Sequence, residues 1–304
     1  MRKINAFTLI ELLVVIAIIG TLSALIIVGM SSTTQKATIA KAQAFSHSVD
    51  SALVSSKISE WNFNNLSGTV DQDISSVANF VTDTWGSNNG TAVGTPDLKD
   101  GTNCITGKCL NFNGSTDYIN CGNSTFLQQI TNVVTISAWV KTSKTSETII
   151  DKYGSGSYGP LFSIVGGELY FITYEPSSGL SMTGQTTGIT VNDNNWHNVS
   201  VVANCPAQIL TFYKDGIKYE LTGRNNIIWG TGGNLYVGYR NKAGSEAYFD
   251  GLMDDVRIYN SVIPTSQIQQ NYFAGLNKLF AKQRIEVSEY QNRIVELKSN
   301  YAQN

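Results

Sequence analysis

Gly166-Gly167-Glu168-Leu169-Tyr170-Phe171-Ile172-Thr173-Tyr174 reads as a tight turn running into a strand. Paired glycines suit a two-residue hairpin, whose central residues need positive φ. Working outward, residues 109–112, 118–121 and 135–140 precede it as strand candidates, and 196–202, 209–213, 235–239 and 256–259 follow. Asp215-Gly216 marks a second hairpin turn. Many short strands parted by turns, with no helix between them, predict an antiparallel β-sandwich from about Ser59.

Composition agrees with a folded, exported β protein. Charged residues make up 14% of the 304, against about 25% in an average globular chain, while hydrophobic residues reach 42%. That excludes a disordered chain, which would be charge-rich and poor in aromatics. Lys plus Arg number 21 against 23 Asp plus Glu, a net of −2, which excludes nucleic-acid binding by bulk charge. Catalytic signatures are missing too: no G-x-S-x-G, no HExxH and no P-loop occurs. His47 falls in the N-terminal helical run, and His197 reads as a hydrogen-bonded structural residue on a strand. Asp254 and Asp255 are neighbours on a predicted strand, so they point to opposite faces and suit no glycosidase pair. The chain is read as no enzyme.

The N-terminus follows other rules. Residues 7–28 are mostly apolar and, as a helix rising 1.5 Å per residue, would span about 33 Å, enough for a bilayer core. Arg2 and Lys3 precede them, which keeps the N-terminus cytoplasmic. A cleaved secretory signal would have a shorter apolar stretch and a small-x-small site. A plain anchor leaves Glu11 unexplained, since an unpartnered carboxylate in hydrocarbon costs several kcal/mol. Removal of the basic leader after Ala6 would make Phe7 an N-terminal amine one helical turn from Glu11, and so a counter-charge between neighbouring subunits.

The run Phe7-Thr8-Leu9-Ile10-Glu11-Leu12 behind a short basic leader resembles type IV pilins and pseudopilins. The resemblance implies a prepilin peptidase that cuts between Ala6 and Phe7 and methylates the new amine. It makes Glu11 the assembly carboxylate, and other copies of the chain or other pilins the partners. Ala6 departs from the family's usual Gly. The implied location is the inner membrane as a single-pass protein, then an extracellular pilus.

The body resembles a laminin G-like, concanavalin A-like jelly roll. The matching residues are Trp139, Trp196-His197, Lys214-Asp215-Gly216 and above all Phe249-Asp250-Gly251-Leu252-Met253-Asp254-Asp255-Val256-Arg257-Ile258-Tyr259. Such domains bind glycans, proteins or nothing known, and many carry calcium. The resemblance implies a Ca²⁺ site from Asp83 with Asp250, Asp254 or Asp255; the competing reading has these residues capping turns and pairing with Lys or Arg. Four cysteines in the exported part suggest two disulfides, Cys104–Cys109 and Cys121–Cys205, with buried thiols as the alternative.

Pro264 ends the last strand motif, and Ser266 with Gln269 predicts a capping box. Phe273, Leu276, Phe280, Val287, Tyr290, Ile294, Leu297 and Tyr301 then recur at three and four residues. This stripe is expected to dock on its own domain, either as one helix or, with a second start at Ser288 and Gln291, as a hairpin. The predicted organisation is a leader at 1–6, a pilin helix at 7–58 with a membrane part at 7–28, a sandwich at 59–264 and a helical tail at 265–304. The chain is thus mainly β, with a long N-terminal transmembrane helix. The expected function is a pilin-like filament subunit whose sandwich serves adhesion to a glycan or surface protein. The alternative is a membrane-anchored adhesin or secretion pseudopilin.

Overall fold

The computed structural model describes residues 56–74, 80–101, 103–152, 159–175, 177–226 and 232–301. Ala6, Phe7 and Glu11, with the rest of the expected N-terminal helix up to residue 55, lie outside them. Among the described residues no helix is long and apolar enough to cross a membrane.

In chain order the strands are β1 (Lys57–Trp61), β2 (Phe80–Val81), β3 (Gly90–Val93), β4 (Asp97–Asp100), β5 (Lys108–Asn113) and β6 (Tyr118–Asn120). Next come β7 (Val133–Thr142), β8 (Ser146–Asp151), β9 (Leu161–Val165), β10 (Glu168–Glu175), β11 (Leu180–Thr190) and β12 (His197–Asn204). The last are β13 (Ile209–Lys214), β14 (Ile217–Leu221), β15 (Tyr236–Val237), β16 (Tyr239–Arg240), β17 (Ala247–Tyr248) and β18 (Asp250–Tyr259). Helices α1 (Thr265–Ala281) and α2 (Val287–Tyr301) close the chain.

Two sheets face each other. The first runs β14-β13-β12-β7-β18-β5-β4, with β1 beside the second half of β18; the other runs β11-β10-β9-β8-β15-β6-β3-β2. Every pairing between strands is antiparallel. Both hairpins read from sequence form, with Gly166 and Gly167 at φ 64° and 84°, and Asp215 and Gly216 at 52° and 76°.

Period-two alternation builds the core. Leu169 and Phe171 of β10 point inward, as do Val134, Ile136, Ala138 and Val140 of β7 and Val199, Val201 and Ala203 of β12. Burying one such side chain fully contributes about 1.5–3 kcal/mol. Yet β7 and β12 are buried at nearly every position, so their outer face is covered as well. The cover is the C-terminal hairpin: Tyr272 of α1 stacks on Trp139 of β7 at 5.8 Å. The sheet containing β10 keeps an alternating burial pattern, the mark of one open face.

Several expectations need correction. Lys57 and Ile58 belong to β1 rather than to the N-terminal helix, because Glu60 pairs with Arg257 across β1 and β18. Asp254 and Asp255 do not face opposite sides of a regular strand, since a bulge interrupts β18 there and Asp255 sits at φ 49°. Both are buried. The capping box at Ser266 and Gln269 does not form. Pro264 is the N-cap without a side-chain bond, and its carbonyl accepts the Gln267 and Ile268 amides. Of the two arrangements expected for the apolar stripe the structure has the hairpin, two helices rather than one, with Val287 exposed.

Cys104 and Cys109 are joined. Cys121 and Cys205 are buried and not in a disulfide. Cys205 contacts Met182 Sδ on β11 at 3.5 Å, whereas Cys121 follows β6, five strands along the same sheet. At about 4.8 Å per strand that is roughly 24 Å, beyond a disulfide's reach of about 7 Å between Cα atoms.

Candidate functional site

The four acidic residues singled out in the sequence have separate partners. Asp83 accepts four main-chain N–H groups, from Glu60, Trp85, Gly86 and Asn88, at 2.9–3.0 Å. It organises the turn that receives β1. Asp250 pairs with Lys144 at 3.1 Å, and Asp255 faces Arg257 at 3.6 Å. Asp254 Oδ2 accepts the Ile105 and Thr106 amides, both at 3.1 Å, and so pins the loop closed by Cys104–Cys109 to β18. Among the described residues no group of three or more His, Cys, Asp and Glu side chains is gathered as a cation would need.

The open sheet presents a different chemistry. On β10, Tyr170, Ile172 and Tyr174 alternate with the core residues Leu169 and Phe171 and therefore stand on the outer face. Opposite them on β11 lie Gln185, Thr183 and Ser181, and Thr183 Oγ1 donates to Tyr170 Oη at 3.3 Å. The same face carries a second aromatic group. Ile119 and Val237 enter the core, so Tyr118 and Tyr236 beside them point outward.

The rings of Tyr118, Tyr239 and Tyr248 form a triangle, Tyr239 lying 4.6 and 4.7 Å from the other two, which are 6.4 Å apart. Tyr236 meets Tyr239 edge-on at 5.5 Å, and its hydroxyl accepts from Asn241 Nδ2 at 3.2 Å. Burial and the neighbouring Tyr248 push the Tyr239 hydroxyl up to about 12, so it stays a neutral donor. Aromatic faces with hydroxyl and amide edges suit ligands that are apolar on one side and hydrogen-bonding at the rim.

His197 occupies a cleft of about 340 Å³ lined by Asp193, Lys214, Asp215, Tyr219, Arg293 and Glu296. Its Nδ1 lies 2.7 Å from Asp215 and its Nε2 2.9 Å from Asp193. Both ring nitrogens are committed, and the histidine is a clamp. The sequence reading found its structural role but missed both acids. Asp193 is four residues upstream, and Asp215 was visible only as a turn residue.

The tyrosine face was half legible. Tyr170 and Tyr174 follow from alternation in one strand, but Tyr118, Tyr236, Tyr239 and Tyr248 meet through strands far apart in the chain.

A profile of the concanavalin A-like lectin/glucanase superfamily matches residues 113–269, about half of the chain. The prokaryotic N-terminal methylation motif matches residues 1–27. Comparison with curated proteins gave no match. Among solved structures, the binding domain of Paraclostridial Mosquitocidal Protein 1 is similar, with a TM-score of 0.55 and 14% identity over 74% of this chain and 53% of that one. The botulinum neurotoxin serotype D binding domain is similar at 0.53 and 17%, covering 74% and 52%. The chain thus spans about half the length of these structures, and the likeness is one of fold.

Proposed function

We propose, for a chain that belongs to the concanavalin A-like lectin/glucanase superfamily and carries the methylation motif of type IV pilins, that it is a pilin-like filament subunit displaying an adhesive sandwich. The observation that carries this reading is the covalent order: a methylation motif that includes Phe7 and Glu11, then a lectin-like sandwich. Processing by a prepilin peptidase would free the Phe7 amine, and a neighbour's Glu11 would neutralise it in an apolar filament core. Leaving one partner of such a buried pair alone costs about 3–5 kcal/mol at every subunit contact.

The tyrosine face supports a role in adhesion, with a glycan or a surface protein as the ligand class. It serves equally in the second reading, a membrane-anchored adhesin or secretion pseudopilin outside the main filament. No catalytic step is proposed, because both ring nitrogens of His197 are bonded to carboxylates.

The test is Glu11→Ala in the full chain. The subunit should be processed and membrane-held yet absent from sheared filaments, with its sandwich folded. Incorporation at the wild-type level would overturn the assembly role. Replacing both Tyr170 and Tyr174 by Ala should leave filaments intact and abolish attachment to a glycan-coated or cell surface; unchanged attachment would remove the tyrosine face from the account.

A further inference from the structure

We infer that the α1–α2 hairpin opens as a unit of its own while the sandwich beneath it stays folded, a strap over the first sheet rather than a layer of the core. Three observations carry this. First, no main-chain hydrogen bond joins the hairpin to a strand among the described residues. The strands beneath, β7, β12 and β18, complete their ladders with one another.

Second, the apolar contacts of the hairpin form small clusters separate from the main core. Tyr272, Leu276, Leu279 and Leu297 gather around Trp139 and Trp196, and Ile268 sits with Val202 and Tyr213. Third, polar groups within the hairpin and on the strand beneath it are poorly satisfied. Among the described residues Gln267 Oε1, Gln270 Oε1, Asn277 Nδ2 and Arg284 Nε of the hairpin, and Asn198 Oδ1 of β12, are buried without a hydrogen-bond partner. The sheet surface under the helix is itself polar, with Ser137 and Ser200 bonded to each other at 3.0 Å.

What fastens the strap is a short set of side-chain contacts. Arg293 Nη1 donates to the Trp196 carbonyl at 2.9 Å, Lys278 Nζ donates to Thr106 Oγ1 at 2.9 Å, and the Tyr213 and Thr265 hydroxyls share a hydrogen bond of 2.8 Å. Tyr272 stacks on Trp139, and Gly275 of α1 lies flat against the same indole. Cooperative units of this kind tend to coincide with supersecondary motifs and to open below the global unfolding limit. Opening would uncover the outer face of β7 and β12, turning a sandwich with one free face into one with two.

Native-state hydrogen exchange on the full chain in detergent, read by mass spectrometry of peptides, tests this. Peptides from α1 and α2 should exchange together and at least about 10-fold faster than peptides from β7 and β12. Gly275→Ala, whose Cβ would stand 2.3 Å from Trp139 Cζ2, should speed the hairpin further and leave β7 and β12 unchanged. Arg293→Gln is the milder variant and should act in the same direction. One common exchange rate for hairpin and strands in the wild type would overturn the inference. So would either variant accelerating β7 and β12 as much as the hairpin.

Discussion

The Nδ1 atom of His197 lies 2.7 Å from Oδ2 of Asp215, on an imidazole that is almost wholly enclosed. Since Nε2 also reaches Asp193, both bonds exist together only when both nitrogens carry protons. Burial works against that charge, but Asp215 and Asp193 outweigh it and hold the histidine above its ordinary value. Asp215 also turns the chain into Gly216, where an added Cβ would stand 2.9 Å from Leu297 Cδ1 of α2. The protonated clamp thus braces the turn on which the hairpin rests.

The stabilisation from His197 is fully present below about pH 6.5, its unfolded value, and is lost as pH rises through the elevated folded value. Thermal melts should therefore show Tm falling above neutrality, and His197→Asn should remove that fall while lowering Tm at pH 6. The loss at pH 6 should be about 1–3 kcal/mol, the cost of leaving the enclosed Asp215 without its charged donor, since the half-exposed Asp193 stays solvated. A variant whose melts match wild type from pH 6 to 9 would deny the clamp any role.

Glu147 acts over a lower window. Its Oε1 accepts the Asp250 amide at 2.8 Å, but Oε2 is buried without a partner, and burial pushes the carboxyl up to about 7. Between about pH 4.5 and 7 the unfolded chain releases this proton and the folded chain keeps it, so stability declines across that interval and levels off above it. Glu147→Gln keeps the acceptor and has no proton to lose. Its melts should be flatter from pH 4.5 to 7 and higher than wild type at pH 8.

Asp254, one of the residues read from the sequence as metal ligands, ties the Cys104–Cys109 loop to β18. It accepts the Ile105, Thr106 and Asp255 amides. Asp254→Ala would strand these donors and should cost at least about 2 kcal/mol. The freed loop should also make Cys104–Cys109 easier to reduce, which thiol labelling under mild reductant measures. Asp254→Asn, still able to accept through its carbonyl oxygen, should lie between.

Local pattern carried most of the fold. Alternation in 169–174 and 135–140, and the turns at Gly166-Gly167 and Asp215-Gly216, marked strands that form as expected. What stayed hidden depends on partners distant in the chain. Strand β8 lacks alternation because both its faces are buried, and the bulge at Asp255 arises where β18 changes partner from β5 to β1. The pairing of Cys121 with Cys205 failed for the same reason: parity of cysteines says nothing about distance. Gly251 was quoted only as part of a motif. Its reason is steric, because a Cβ there would lie 2.2 Å from the Lys141 carbonyl on β7.

The N-terminus decides between a filament subunit and a plain anchor. Intact mass and terminal-peptide mass spectrometry of the mature, membrane-purified protein tests it most directly. The prediction is loss of residues 1–6 and a methylated Phe7 amine. A full-length chain beginning at Met1, or a cut beyond the apolar run, would contradict it and leave a plain membrane anchor carrying a lectin-like domain.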